Sequence, residues 1–502
     1  MNPLKNAITL ASWLFVRLPL LFSIPFTGIS LWWMFGGFKR LNDVIAVPVA
    51  NMAVSIAASK FARADSVILD LGPFFHALLV VLLFVLGFFA AYNISALINW
   101  IGLHFNLKPE RFVAGSPVAA SARTEASSPF DSVNKIGIVL AGGGAKGAFQ
   151  AGSMKAIYEY LSKYGALGKV KVIAGTSIGS WNSLFWLADL IHSEPHKQSI
   201  HELWWRSISL KALAAPTWYL PFLRNAFLST EPWRRAFDHL FNKSDVRRHI
   251  ASSGIHFYLT RSNVRSGHIE CATNNPSPPA IASVSYEILD STGSPESFME
   301  GLKAGVFASM DLPPLYPYVS RRDNVFEDGG VIDNLPIIFA ATEQCDLLFI
   351  LPLNANFEEE PNTVSIVARL FRVMDVRQGA LERNGFKMLY LYNELAALRK
   401  LVSTQPGAIS STGPLLSASL KSALDRRNDL INVFAVCPSK AFVQSTIDTQ
   451  QMWKSTEAGI AFDTMNNATN EILGKFQFAK ANDVIKVALV SKEGSVTWDE
   501  NF

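Results

Sequence analysis

The sequence predicts an α/β fold, because it twice repeats a strand, a glycine-marked loop and a helix. Ile136 to Ala141 is an apolar run that predicts a buried strand, and a glycine-rich loop joins it to a helix predicted from Ala148 to about Tyr164. Lys169 to Ala174 is a second such strand, followed by a glycine-flanked turn and a helix from Trp181 to Ile191. Strands that alternate with helices are typical of α/β domains.

The turn after the second strand predicts a nucleophile. It reads Gly175-Thr176-Ser177-Ile178-Gly179, a G-x-S-x-G pattern that puts a serine at the tip of a strained strand-to-helix turn. Glycines two residues on either side carry no Cβ atoms that would collide there. The helix that follows points its N-terminus at the site and favours developing negative charge. A chance match in a tight turn is the alternative to this nucleophile elbow.

The loop after the first strand predicts an anion site. It reads Gly142-Gly143-Gly144-Ala145-Lys146-Gly147 at the start of a helix, where backbone N–H groups are free and no Cβ blocks close approach. The loop also satisfies G-x-G-x-x-G, so a dinucleotide-binding fold is an alternative. That fold needs an acidic residue after the next strand, where this sequence has the Ser177 turn. N–H donors one strand before a serine instead suit the oxyanion of acyl transfer.

The base that would activate the serine is predicted to be a carboxylate. All nine histidines lie at or before His268, whereas hydrolases with this elbow place a histidine last. Asp328 is followed by Gly329 and Gly330, which fits a tight turn with an exposed side chain. A carboxylate can serve as general base if its pKa suits and it reaches the hydroxyl. An ordinary Asp-Gly turn is the alternative.

Together the three motifs, in this order, resemble the patatin-like phospholipase family. The resemblance covers Lys135 to Ile338, and Lys303 to Val319 is similar to the family's segment before the catalytic aspartate. It implies a three-layer α/β/α domain with a mostly parallel central sheet. It also implies a Ser-Asp dyad without histidine, with Ser177 as nucleophile and Asp328 as base. The oxyanion hole implied by the resemblance is the loop of Gly142, Gly143, Gly144, Lys146 and Gly147, chiefly the N–H groups of Gly143 and Gly144.

The first 112 residues predict a membrane region. Residues 18–38 and 77–103 are uncharged runs of 21 and 27 residues, and about 20 apolar residues cross a bilayer core. We therefore expect an α-helical transmembrane region with two spans, and a catalytic domain on the cytoplasmic side. The lysines and arginines around the two runs do not by themselves decide the orientation. A pair of buried core helices is the alternative.

The rest of the chain divides by composition. Residues 113–134 are rich in Ser, Ala and Pro and predict a flexible linker. A catalytic core is expected over 135–345, and 346–502 should continue the α/β domain with added helices and edge strands. Val364 to Leu401 has helical spacing and predicts two helices broken near Gly385.

One aromatic and basic stretch after the predicted nucleophile allows two interpretations. Trp204 to Phe241 interleaves tryptophan and phenylalanine with arginine and lysine. Such a stretch suits an anionic membrane surface, and it suits equally a layer packed on the core of the domain. The sequence alone does not choose between them.

The predicted function, by this resemblance, is a membrane-anchored serine lipid acyl hydrolase of phospholipase A or lysophospholipase type. It would cleave carboxylic esters of lipids through an acyl-Ser177 intermediate, with lipid as substrate and the bilayer as partner. The net charge of +4 does not suggest nucleic acid, and Cys271, Cys345 and Cys437 form no CxxC pattern. No metal or cofactor is expected. The alternatives are a nucleotide-binding oxidoreductase using the Gly142–Gly147 loop and a non-catalytic membrane scaffold that keeps the fold.

Overall fold

The computed structural model describes the greater part of the chain after the predicted membrane region. The described residues are 128–192, 197–209, 213–216, 226, 228–313, 315–354, 366–403, 430–446, 455–478, 484–500 and 502. The two predicted membrane spans, residues 18–38 and 77–103, lie outside them. Across the described ranges, no helix has both the length and the apolar character that crossing a bilayer requires.

The strands and helices are numbered here in chain order over the described residues. The strands are β1 (Ile136–Leu140), β2 (Val170–Thr176), β3 (Ala215–Pro216), β4 (Leu228–Ser229), β5 (His256–Asn263), β6 (His268–Thr273), β7 (Val284–Ile288), β8 (Val319–Arg321), β9 (Asn324–Asp328), β10 (Leu347–Leu351), β11 (Asn432–Pro438), β12 (Val487–Val490) and β13 (Val496–Asp499). The helices are α1 (Gly147–Lys163), α2 (Ile178–Leu187), α3 (Ile200–Ser207), α4 (Glu231–Phe241), α5 (Ser244–Ser252), α6 (Pro295–Met310), α7 (Ile337–Thr342), α8 (Ile366–Ser403), α9 (Lys440–Thr446) and α10 (Ser455–Leu473).

A large mixed sheet forms the centre of the described fold. Nine of its strands follow the order β13-β12-β11-β10-β1-β2-β5-β6-β7. The six strands from β12 to β5 run parallel to their neighbours, whereas β13 is antiparallel to β12 and β6 is antiparallel to β5. Strand β9 pairs antiparallel with β5 and with β8. The predicted α/β class with a mostly parallel central sheet is confirmed.

The central strands are covered on both faces. Every residue of β1 and of β10 is buried, which is why their sequences are continuous apolar runs rather than alternating ones. Helices α2 and α7 each contact β1 and β2, while α6 packs on β5 and β9 and α1 packs along α10. Because β1 and β2 are parallel neighbours with Leu140 opposite Gly175, the loops that follow them meet at one edge of the sheet.

The packed domain begins earlier than the predicted linker boundary. Phe130 and Val133 are buried in the core, and the Phe130 ring meets the Tyr160 ring edge to face at 5.7 Å. The Lys169 ammonium also donates to the Phe130 carbonyl at 2.6 Å. Apolar burial of this kind orders a segment whose composition by itself indicates flexibility, so residues 128–134 pack with the domain.

The predicted break in the helical stretch after β10 is wrong. Helix α8 is continuous through Gly385. An internal glycine costs about 1 kcal/mol relative to alanine, and here it lets the helix approach α7 closely. A Cβ on Gly385 would lie 3.2 Å from Ile337 Cδ1, so tertiary packing offsets the low helix propensity.

The described part of the aromatic and basic stretch from Trp204 to Phe241 packs on the core. Trp205, Trp233 and Phe241 are buried. The Trp181 ring in α2 lies 5.3 Å from the ring of Trp233 and 5.5 Å from that of Phe241, both edge to face. These side chains form a layer that covers the helix after Ser177. Of the two interpretations, the described residues therefore favour the layer packed on the core.

Candidate active site

Ser177 lies at a strained turn between β2 and α2. Its φ of 53° and ψ of −122° are values that residues with a side chain rarely adopt. A Cβ on Gly175 would lie 2.7 Å from the Gly179 carbonyl carbon, and one on Gly179 would lie 2.4 Å from the Leu140 carbonyl oxygen. The turn can therefore exist only with glycine at both positions, which is the steric argument that the sequence pattern suggested.

The Ser177 hydroxyl meets the carboxylate of Asp328, 151 residues further along the chain. The hydroxyl donates to Asp328 Oδ2 at 2.5 Å, and the Gly330 N–H donates to Oδ1 at 2.8 Å. The backbone of Asp328 is held as well, because its N–H donates to the Asp311 carbonyl at 3.0 Å and its carbonyl accepts from Ser262 Oγ at 2.9 Å. Both ends of the aspartate are thus fixed before any substrate binds.

The surroundings of Asp328 bring the pKa of its carboxyl close to neutral pH. Burial raises the pKa of Asp328 from 3.8 to about 7, while the hydrogen bonds from Ser177 and from the Gly330 N–H lower it. Burial also raises the pKa of the neighbouring Glu327 to about 7, with the charge of Asp328 as a further cause. A carboxylate whose pKa lies near the working pH is suited to accept a proton from a hydroxyl.

The glycine loop after β1 lies directly beside Ser177. A Cβ on Gly142 would lie 3.0 Å from Ser177 Cβ and 2.5 Å from Asn334 Oδ1. The Gly142 N–H already donates to the Asn334 carbonyl at 3.0 Å. Its contribution to the site is therefore to join the loop to the segment after Asp328, and its N–H is not a free donor.

The remaining loop residues differ in the use of their N–H groups. The Lys146 N–H donates to the Gly143 carbonyl at 3.1 Å, and the Gly147 N–H points back to the carbonyls of Gly144 and Ala145. The N–H groups of Gly143, Gly144 and Ala145 donate to no other group within the described part of the chain. These three are the donors that the loop leaves for a ligand.

The Lys146 side chain points to helix α8. Its ammonium donates to Asn354 Oδ1 and forms an ion pair with Asp375 at 3.2 Å. The sequence predicts Lys146 as part of the anion-binding loop. In the structure its ammonium group contacts Asn354 and Asp375 and so anchors the end of that loop.

Two residues of the site were not predicted from the sequence. Ser309, in α6, accepts from the Ser177 N–H at 2.8 Å and contacts Ser180 Oγ at 2.8 Å. Asn334 joins the loop to the Asp328 turn, as described above. Ser309 lay within the Lys303–Val319 segment that resembles the family, but nothing in that segment marked a serine for this position.

His201 and His256 take structural positions. His201 is buried and lies 3.1 Å from Asn182 Oδ1, and burial lowers the pKa of its imidazole to about 3. His256 lies beside Glu343 at 3.1 Å. Among the described residues, none of the His, Cys, Asp and Glu side chains are grouped in threes that could hold a metal ion.

Part of the chain is similar to known proteins. Residues 138–341 match the family model described as patatin-like phospholipase. The chain is similar to lysophospholipase NTE1 of Coccidioides immitis, with 23% identity over 230 residues, and to lysophospholipase NTE1 of Phaeosphaeria nodorum, with 23% identity over 232 residues. Each match covers 45% of this chain and 12% of the relative, so the chain spans about one eighth of the length of these curated relatives.

A solved structure is also similar in part. The crystal structure of VipD from Legionella pneumophila covers 53% of this chain and 56% of its own, with 14% identity and a TM-score of 0.25. The family match includes both the Ser177 turn and Asp328. Residues 138–341 are therefore the part of the chain that is similar to the patatin-like phospholipase family.

Proposed function

We propose that this protein is a serine lipid acyl hydrolase with Ser177 as nucleophile and Asp328 as base. The observation that carries the proposal is the 2.5 Å contact between Ser177 Oγ and Asp328 Oδ2 at a strained turn. A nucleophile and a base within hydrogen-bond reach, with the base held by a third group, are the parts that covalent catalysis needs. Here the third group is the Gly330 N–H.

In the acylation step, Asp328 takes the Ser177 proton as the hydroxyl oxygen attacks the ester carbonyl. The C–O bond to the serine forms while the carbonyl oxygen becomes an oxyanion. We assign the N–H groups of Gly143 and Gly144 as its donors, since the loop leaves these two free beside the serine. Collapse of the intermediate expels the alcohol, which takes the proton from Asp328, and leaves an acyl-Ser177 ester.

In the deacylation step, water attacks the acyl-enzyme. Asp328 accepts a proton from the water, the same two N–H groups hold the second oxyanion, and Ser177 leaves with the proton to restore the resting state. Every proton transfer uses Asp328 alone, so the pKa of this carboxyl near 7 governs both steps. The proposed steps call for neither metal nor cofactor.

The substrate class that we propose is a phospholipid or lysophospholipid. The support is the family match over residues 138–341 and the names of the two relatives, which are lysophospholipases. Membrane anchoring through the two apolar runs, residues 18–38 and 77–103, would bring the domain to its substrate. A nucleotide-binding oxidoreductase is less well supported, because the chain after β2 turns into Ser177 where that fold would carry an acid.

The proposal is tested with the full chain in detergent against phospholipid, lysophospholipid and triacylglycerol esters. Ser177→Ala and Asp328→Asn are compared with Ser252→Ala and Asp290→Asn, two exposed positions with the same changes in chemistry. We expect hydrolysis by the parent and by both controls, and none by the first two variants.

Three other results would point to a different role for these residues. Equal hydrolysis by all variants would remove Ser177 and Asp328 from the mechanism. A parent without hydrolysis that still reacts at Ser177 with a fluorophosphonate probe would favour acyl transfer to another acceptor. A parent that neither hydrolyses nor reacts would favour the scaffold alternative.

A further inference from the structure

Glu382, in the middle of helix α8, is a wholly buried acid that receives four hydrogen bonds. Oε1 accepts from Asn334 Nδ2 at 2.6 Å and from Asn354 Nδ2. Oε2 accepts from the backbone N–H groups of Leu353 at 3.2 Å and of Asn354 at 3.1 Å. All four partners are donors, so a group that only accepts, an ionised carboxylate, is the one that satisfies them all.

Asn334 and Asn354, whose side chains donate to Oε1, also contact opposite ends of the glycine loop. Asn334 Nδ2 also donates to the Gly142 carbonyl at 3.1 Å, and the Asn334 carbonyl accepts from the Gly142 N–H at 3.0 Å. Asn354 Oδ1 accepts from the Lys146 ammonium. One carboxylate is therefore linked to both the beginning and the end of the loop.

Of the residues between these two anchors, Ala145 is buried and Gly143 lies against Leu353, whose own N–H donates to Glu382, whereas Gly144 has no such neighbour. Gly144 has a φ of +56°, and a Cβ at this position would meet nothing within 4 Å. The N–H groups of Gly143 and Gly144 are also among those that the loop leaves free. Glycine adopts more backbone conformations than any other residue, so the direction of these N–H groups depends on the anchors at either end.

We propose that Glu382 is a positioning residue that holds the Gly142–Lys146 loop in the conformation that presents its free N–H groups to the reaction oxyanion. The inference rests on the proposed function, since it assigns a support to the oxyanion donors of that same site. Glu382 itself contacts neither Ser177 nor Asp328 and acts through Asn334 and Asn354.

The chemistry of the contacts makes Glu382→Gln a sharp test. The two backbone N–H groups at Oε2 cannot turn, so the glutamine carbonyl must take that position. Its NH₂ group then faces the two amide NH₂ groups at the Oε1 position, donor against donor. If Asn334 turns its amide to present oxygen, its bond to the Gly142 carbonyl is lost. The volume of residue 382 stays the same while the loop loses an anchor.

We expect this variant to lose turnover rather than affinity. Removal of one oxyanion donor typically lowers kcat by about 10²–10³-fold, and a loop that presents two donors poorly should lose on the order of 10²-fold. A soluble ester, p-nitrophenyl butyrate, avoids any effect on membrane binding. With this substrate KM should stay within about threefold, because the loop stabilises an oxyanion that the ground state does not carry.

The experiment uses the full chain in detergent and two readouts. Steady-state kinetics give kcat and KM for the parent, for Glu382→Gln and for Glu394→Gln. Glu394 lies on the same helix, is exposed, and provides a control with the same chemical change. Hydrogen exchange of peptides that cover residues 141–149 follows the loop without depending on activity, and we expect faster exchange there in Glu382→Gln alone.

Parental kcat together with parental exchange in Glu382→Gln would overturn the inference, and so would an equal effect in Glu394→Gln. If Glu382→Gln does not fold, Lys146→Met carries the test. It removes the anchor at the end of the loop while the partly exposed stem remains, and parental kcat in that variant would likewise overturn the inference.

If the parent shows no esterase activity, the proposed function fails separately, and the exchange experiment still decides whether Glu382 holds the loop. Faster exchange confined to residues 141–149 supports that role, and unchanged exchange rejects it.

Discussion

Asp328→Asn should stabilise the protein while it abolishes hydrolysis. The side chain is 2% exposed, and folding raises its pKa from 3.8 to about 7. In the unfolded chain this carboxyl is ionised above about pH 4, whereas the folded protein keeps it protonated up to about pH 7. Between these values folding takes up a proton, so the stability of the parent falls as the pH rises through this window and levels off above it. Asparagine never carries the charge and avoids this loss.

The size of the effect follows from the pKa difference. About 3 pKa units at 1.36 kcal/mol each give roughly 4 kcal/mol as the upper bound for the gain at pH 8. At pH 4 the carboxyl is protonated in the folded protein and only about half ionised in the unfolded chain, so the gain should be below about 1 kcal/mol. The variant keeps a similar shape, so the hydrogen bond from the Gly330 N–H can remain.

The measurement is the midpoint of thermal unfolding for parent and variant, in the same detergent, between pH 4 and pH 9. The midpoint of Asp328→Asn should exceed that of the parent by several degrees at pH 8 and by little at pH 4. Asp290→Asn, at an exposed position, should show no such gain. A variant that is no more stable than the parent at pH 8, or whose gain is largest at pH 4, would refute the claim that burial controls this carboxyl.

Three further results are expected. Since the ionised form of Asp328 is the base and burial raises its pKa to about 7, kcat/KM should rise with pH through about 7 and then level; a flat profile from pH 5 to 9 would contradict this role. Ser177→Gly should unfold at a higher temperature than Ser177→Ala, by an amount equivalent to about 1 kcal/mol, because glycine relieves the φ of 53° that alanine keeps; equal midpoints would mean that the turn stores no strain. Gly179→Ala should greatly reduce the yield of soluble, active protein, because its Cβ would lie 2.4 Å from a backbone oxygen. The control Gly168→Ala places its Cβ where no atom lies within 4 Å and should behave as the parent. Expression yield and unfolding midpoint distinguish the two variants, and similar values would show that the elbow can relax.

The parts of this site that the sequence predicted are those whose physical demands are local. Gly175 and Gly179 are required by atoms within the turn or on the strand beside it, so the G-x-S-x-G pattern records the constraint directly. The buried runs of β1 and β10 likewise reflect coverage on both faces, which leaves a continuous apolar stretch in the sequence. Short-range sterics and burial thus account for the fold class and for the candidate nucleophile.

The local sequence pattern could not predict which hydrogen bonds form between distant segments. The sequence proposed five residues of the glycine loop for an oxyanion hole, but the structure engages the N–H groups of Gly142, Lys146 and Gly147 elsewhere. Glu382 lies in a long helix with nothing around it in the sequence to mark it. Its position matters only because α8 packs against the segments that carry Asn334 and Asn354.

The sequence by itself therefore determined the kinds of element and the chemistry available at each, namely a strained serine, a carboxylate in a tight turn and a glycine loop at a helix start. Only the tertiary structure brought Ser177 within 2.5 Å of Asp328 across 151 residues, continued α8 through Gly385, and set Glu382 behind the loop. The physical reason is that contacts between distant segments depend on sheet order and helix packing, which no single stretch of sequence encodes.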